Sequence, residues 1–338
     1  MPISLKKSES LSHWKYARYL PLPKNGKFIS MQEGGTTLLE SREDKNTLFK
    51  LEYENPTGSF KDRGSTVEIS HAHADGYQKV VCASTGNMGA SIAAYAARAG
   101  MHATIVVPQG VPDIKLKQIQ SYGATLLHVK GDYTAALKKT WEMAARDAQL
   151  GLTGDYPLRM EGQKTIAYEI VEQLGMRAPE NVIVPIGNGT LVVALFTAFK
   201  EMQKMGWVKF IPKLIGVQAA NCNPLHKALV KKDTHFIPQK NPHTCAGAIA
   251  CGNPVYGAEA LRAVYETKGK IVTVSESRLA SGKLELARRE ARVNVLVCGA
   301  LTQGQRGRKL TPFAALARAG AAALSDDGRP VMNAGLLR

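Results

Sequence analysis

Glu54-Asn55-Pro56-Thr57-Gly58-Ser59-Phe60-Lys61-Asp62-Arg63-Gly64 sets a single lysine in a turn-rich stretch that runs into a helix. Leu48-Phe49-Lys50-Leu51-Glu52-Tyr53 comes before it and alternates like a strand. Asn55, Pro56 and Gly58 break that strand, and a helix is expected from Asp62 to about His73, started near Ser59. A lysine held at such a junction and partly desolvated loses its proton more readily, and the neutral amine attacks carbonyls. Taken alone, Lys61 reads equally as a solvated loop lysine.

The rest of the chain gives this segment an α/β setting. Strands are expected at 79–83, 102–108, 125–129 and 181–185, with helices at 90–99, 115–122, 133–150 and 163–174 between them. Strands alternating with helices of that length imply parallel sheets covered on both faces. A second α/β stretch follows, with strands at 214–218, 270–274 and 294–298 and helices at 257–267 and 277–289. The 338 residues, 44% hydrophobic, exceed one small core and predict two domains or one large domain with a large insertion.

Bulk composition narrows the class. The net charge is +16, but the basic residues are scattered, as at Lys6-Lys7, Lys138-Lys139 and Lys231-Lys232. No aromatic-plus-basic interleaving accompanies them, so the charge points to small anions and not to nucleic acid. Five cysteines stand at 82, 222, 245, 251 and 298 without a Cys-x-x-Cys pair. That argues against a metal cluster or a disulfide scaffold and for a reducing cytoplasm. Cys82 lies on an apolar strand and reads as core packing. No apolar run reaches membrane-spanning length, and Met1 to Lys7 does not open a signal peptide.

Two glycine loops lie where parallel folds bind ligands, after a strand and before a helix. Ser84-Thr85-Gly86-Asn87-Met88-Gly89 brings hydroxyls, an amide and backbone N–H groups to a helix start, which suits a carboxylate or phosphate, or else an ordinary capped turn. Pro185-Ile186-Gly187-Asn188-Gly189-Thr190-Leu191 enters an apolar helix. Its spacing fits neither a dinucleotide fingerprint nor a P-loop, and it reads as a cradle for one phosphate. Arg159 is either a phosphate clamp or half of a structural ion pair, and Glu161 is equally open.

In this order the motifs resemble the threonine synthase family of fold type II pyridoxal-phosphate enzymes. His13-Trp14-Lys15-Tyr16-Ala17-Arg18-Tyr19-Leu20-Pro21 is similar to that family's N-terminal arm, and Ser30 to Leu38 to its Glu-Gly-x-Thr-Pro turn, with Thr37 in the proline place. Asn55 to Gly64 resembles its lysine motif, Ala83-Ser84-Thr85-Gly86-Asn87 its asparagine loop, and Arg159-Met160-Glu161-Gly162-Gln163-Lys164-Thr165 its Arg-x-Glu-Gly-Gln-Lys-Thr run. The resemblance covers about residue 13 to about residue 290.

It implies a tryptophan-synthase-β-like fold. Residues 1–77 with 182–338 would form a large cofactor domain, and 78–181 a small α/β domain closing over the substrate. It implies pyridoxal 5'-phosphate as cofactor and conversion of O-phospho-L-homoserine and water to L-threonine and phosphate by β,γ-replacement. Lys61 would hold the aldehyde as an imine and then act as base. Asn87 would bond the ring hydroxyl, and Gly187, Asn188, Gly189 and Thr190 would seat the cofactor phosphate. Ser84, Thr85 and Arg159 would hold the substrate's carboxylate or phosphate.

A homodimer with a small anionic amino-acid substrate, without metal, nucleic acid or membrane, is the expected assembly. Two departures stand out. Tyr156 replaces an asparagine common in the family three residues before the arginine. Beyond Glu290 the family's closing stretch is missing, and Thr302 stands in, at short spacing, for the threonine that meets the ring nitrogen. The neighbouring expectations are a threonine or serine dehydratase, a cysteate-synthase-like enzyme, and a non-catalytic cofactor-binding relative.

Overall fold

A computed structural model describes residues 12–84, 86–109, 111, 113–131, 133–147, 149–152, 156–290, 297–299 and 321–324. The chain divides into two compact units. One holds residues 1–39 and 48–273, and the other 40–47 and 274–338.

The first unit opens with a 3₁₀-helix at His13–Tyr19, then strands β1 (Leu38–Glu40, whose last residue falls in the second unit) and β2 (Leu48–Lys50) and helix α1 (Lys61–Ala74). Strand β3 (Lys79–Ala83), helix α2 (Asn87–Arg98), β4 (His102–Pro108), α3 (Asp113–Ser121), β5 (Thr125–Val129), α4 (Tyr133–Arg146) and β6 (Leu150–Gly151) follow. They build a parallel sheet in the order β5-β4-β3-β6. Both faces are covered, so β3 and β4 are continuous apolar runs. Val80 and Cys82 pack on one side with Ile92 and Ile105, while Val81 and Ala83 pack on the other with Ala136 of α4.

Strand order turns back between β3 and β6, since β4 and β5 lie to one side of β3 and β6 to the other. Ligands of open parallel sheets bind outside the carboxyl ends of the strands at such a switch. The chain leaving β3 is the Ser84–Asn87 loop. The chain leaving β6 leads to α5 (Pro157–Gln163), which carries Arg159.

Helix α6 (Thr165–Gln173), strand β7 (Asn181–Pro185), α7 (Thr190–Lys204), β8 (Lys213–Ala219), α8 (Pro224–Val230), α9 (Gly257–Glu266) and β9 (Lys270–Val274) complete this unit, except that Val274, the last residue of β9, is assigned to the second unit. Their sheet runs β7-β8-β9, with β7 parallel to β8. The largest core gathers here, from Val184, Leu214 and Ile271 of the strands and Leu195, Phe199 and Leu261 of the helices. The second unit contains α10 (Glu276–Glu290) and the parallel pair β10 (Val297–Gly299) and β11 (Ala321–Leu324). Among the described residues, no helix is long and apolar enough to cross a membrane.

Two helix boundaries differ from the sequence reading. The helix expected at 133–150 stops at Arg146, because Leu150 and Gly151 pair with Val80 and Val81 as β6. The helix expected at 163–174 starts at Thr165 and is preceded by α5, a separate helix begun by Pro157.

Candidate active site

The loop ahead of α1 is fastened from both ends. Asn55 Oδ1 accepts from Gly34 N at 3.0 Å, and its Nδ2 donates to the Glu52 carbonyl at 2.7 Å. Gly58 sits at φ +83°, where a side chain is strained. Asp62 reaches back from the first turn and accepts from Thr57 N at 2.7 Å and Thr57 Oγ1 at 2.6 Å. Ser91 of α2 donates to the same carboxylate at 2.6 Å, which docks α2 beside the start of α1. Asn87 stands four residues before Ser91 on the same face of α2.

Arg63 is buried and saturated. It donates to both carboxylate oxygens of Glu52 at 2.7 and 2.8 Å and to both of Glu169 at 2.7 and 2.8 Å. Thr165 and Thr36 accept further bonds from it at 3.1 and 3.2 Å. The next residue, Gly64, is where α1 crosses α5. A Cβ on Gly64 would lie 2.9 Å from Arg159 Cγ, and one on Gly162 would lie 1.8 Å from the Arg63 carbonyl oxygen. Both motif glycines are therefore needed for the backbones to touch.

In this motif Asp62 closes the loop, Arg63 ties the surrounding elements and Gly64 admits α5. Lys61 has no such bond. Its side chain is half-buried, its Nζ lies 4.3 Å from the centroid of the Phe60 ring, and it makes no hydrogen bond to another described residue. Desolvation, reinforced by the Arg159 charge, lowers its amine to about 7, with Glu68 pulling weakly the other way. Much of it is a neutral nucleophile at neutral pH. Arg159 is buried and pairs with Glu68 through Nη2 at 2.5 Å, so the ion-pair reading of this arginine holds as far as one nitrogen.

The loop after β3 is organised by Ser84, whose Oγ accepts from Gly86 N at 3.3 Å and Gly89 N at 3.0 Å. Its hydroxyl donates to no described residue. The Asn87 side chain is exposed and makes no hydrogen bond to a described residue, and a Cβ on Gly86 would meet nothing within 4 Å. Thr85 lies outside the described residues, as does Thr302.

The loop after β7 is tighter. Gly189 caps α7 at φ +91°, and a Cβ there would sit 2.6 Å from the Tyr256 carbonyl oxygen. Gly187 lies against Ala248 and Ile249 in the same way. Asn188 Oδ1 accepts from Val255 N at 2.8 Å, and its carbonyl accepts from Tyr256 N at 3.0 Å. These glycines thus serve a close approach to the 248–256 segment as well as the helix start. No side chain caps the first turn of α7, and the hydroxyl of Thr190 has no hydrogen-bond partner among the described residues. A bare helix N-terminus with a hydroxyl beside it is an anion site.

The family described as "Pyridoxal-phosphate dependent enzyme" matches residues 29–309. Threonine synthase of Methanocaldococcus jannaschii is 41% identical over 293 residues, 85% of this chain and 72% of that protein. The chain belongs to the threonine synthase family of pyridoxal-phosphate dependent enzymes. A second member of the threonine synthase family, from Methanosarcina acetivorans, is 36% identical over 84% of this chain and 71% of its own length. Among solved structures, the processed form of threonine deaminase isoform 2 from Solanum lycopersicum shares the fold, with TM-score 0.65 and 24% identity over 77% of this chain and 74% of that one.

The residues present fit the cofactor of the threonine synthase family. Lys61 offers a neutral amine to an aldehyde, the uncapped start of α7 and Thr190 suit a phosphate ester, and Asn87 has a free amide. Sequence reasoning missed Glu68. It stands seven residues after Lys61, two helical turns along the same face, and that spacing to a lysine and a distant arginine is the only signal that pointed to it.

Proposed function

We propose that this chain is a threonine synthase, converting O-phospho-L-homoserine and water to L-threonine and phosphate by β,γ-replacement. The observation that carries this reading is Lys61, whose amine has no hydrogen-bond partner among the described residues and is lowered to about 7 beside Arg159, at the start of α1.

When bound, pyridoxal phosphate supplies an electron-withdrawing ring that stabilises negative charge on the substrate's carbons. Lys61 would hold it, and its freed amine moves protons at the substrate's α and β carbons. Gly187, Asn188, Gly189 and Thr190 would seat its phosphate and Asn87 its ring hydroxyl. Ser84, Thr85 and Arg159 would hold the substrate's carboxylate and phosphate, keeping the leaving group's charge against donors as it departs. Thr302, outside the described residues, would stand in at the ring nitrogen. Residues 78–181 would close over the substrate and exclude water other than the reactant, with 1–77 and 182–338 carrying the cofactor. A cytoplasmic homodimer is the proposed state.

Incubation with pyridoxal phosphate is expected to give a visible absorbance band that Lys61→Ala lacks. With O-phospho-L-homoserine the protein should then release threonine and phosphate in equal amounts. Production of 2-oxobutyrate from threonine, without need of a phosphorylated substrate, would favour the dehydratase reading instead. Sulfite-dependent turnover of phosphoserine would favour the cysteate-synthase-like one.

A further inference from the structure

Two arginines are buried next to the crossing of α1 and α5, and they are treated differently. Every nitrogen of Arg63 is paired, to Glu52, Glu169, Thr36 and Thr165. That is how a structural arginine offsets its desolvation. Arg159 is 1% exposed, yet only Nη2 is engaged, by Glu68 Oε2. Its Nε and Nη1 are buried without a partner, and so is Glu68 Oε1. Leaving such groups unpaired costs about 1–3 kcal/mol each, so this site is held incomplete.

The geometry explains how the side chain is aimed. The Arg159 stem lies across Gly64, which has no side chain to deflect it, and its guanidinium meets Glu68 one turn further along α1. Lys61 stands one turn the other way and feels both charges. Arg159 thus lies along α1 from Gly64 to Glu68. Burial pushes the Glu68 carboxyl up to about 7 against the pull of Arg159 and Lys61. A fully buried carboxylate is a costly anchor for an arginine that only has to pack.

We propose that Glu68 is a positioning residue for the substrate phosphate: it holds the Arg159 guanidinium by Nη2 and so presents Nε and Nη1 to the phosphate monoester dianion. The inference rests on the threonine synthase reading and adds to it the residue that fixes the arginine. It also carries a sign that separates it from simple charge balance. Removing a carboxylate next to an anion site strengthens anion binding if only net charge matters. Removing the group that aims the arginine weakens it.

The test compares Glu68→Ala and Glu68→Gln with wild type as holoenzymes, each required to show the visible band as evidence of an intact fold and cofactor site. Steady-state kinetics with O-phospho-L-homoserine are measured for each. Losing one hydrogen bond to a charged group is worth about tenfold or more, so KM should rise about that much in Glu68→Ala with kcat changed far less. The Gln variant keeps an acceptor for Nη2 and should fall between. It also decides the matter should the Ala variant lose the band. Inorganic phosphate, as a competitive inhibitor, should weaken in step with KM. An unchanged or lower KM in a variant that retains the band would overturn the proposal. A wild-type holoenzyme that makes no threonine would instead overturn the functional reading itself.

Discussion

Lys61 and Arg63 are two residues apart on one helix and meet opposite surroundings. Four acceptor residues surround Arg63, while the Lys61 amine has no hydrogen-bond partner among the described residues, so one is a tie and the other the proposed reagent. The pH dependence of stability follows from Lys61 and Glu68. Lys61 falls from 10.5 to about 7 on folding. Between those values the unfolded chain holds a proton that the folded chain lacks, so stability rises with pH, and the gain is lost as pH drops through about 7. Glu68 rises from 4.5 to about 7. Its contribution is complete below 4.5 and is lost as pH climbs through about 7. His13, which burial lowers from 6.5 to about 3, adds stability as pH rises between those values and so opposes the Glu68 slope below pH 6.5. In denaturant unfolding of the cofactor-free protein at a series of pH values, the stability difference from wild type should change between pH 7 and 10.5 for Lys61→Met and between pH 4.5 and 7 for Glu68→Gln. Curves parallel to wild type would contradict these assignments.

At the scale of elements, the site depends on glycines of two kinds. Gly162 must be bare because α1 is in contact with it, and an added Cβ 1.8 Å from a carbonyl oxygen cannot be absorbed. Gly162→Ala should therefore fold poorly, with a melting temperature well below wild type. A Cβ on Gly86 would meet nothing within 4 Å, so Gly86→Ala should keep its melting temperature. If the cofactor occupies that space, the same variant binds pyridoxal phosphate more weakly in a titration of the visible band. Weak folding of Gly86→Ala, or tolerance at Gly162, would contradict this division. The sequence carried the lysine motif, both glycine loops and the helix after each, because turn residues and apolar runs mark them locally. It did not carry the α1–α5 contact. Gly64 and Gly162 are nearly a hundred residues apart, and nothing local to Gly162 says that its partner is the lysine helix. The same distance hid the Glu68–Arg159 pair. Helix α5 was missed since its seven residues begin beside a proline and show little periodicity.

Across the whole molecule, Arg63 links β2's continuation, α1 and α6 in one buried network, to which Lys50 adds a 2.7 Å contact with Glu169. Arg63→Met leaves Glu52 without its cation and Glu169 with Lys50 alone, and should cost about 3–5 kcal/mol in denaturant unfolding. A loss of about 1 kcal/mol or less would mean that the network relaxes and does not organise the site. The order of strands was legible only as an α/β alternation. That β3 and β6 are neighbours, and so bring Asn87 and Arg159 to one edge, came from pairing between residues seventy apart.

Function at this scale is a choice of which bond breaks. The most direct measurement is turnover of O-phospho-L-homoserine by the holoenzyme in water labelled with heavy oxygen, with both products analysed by mass spectrometry. Replacement across the β and γ carbons predicts the label in the threonine hydroxyl and none in the released phosphate. Label in the phosphate, with homoserine as the other product, would mean simple ester hydrolysis and would contradict the account.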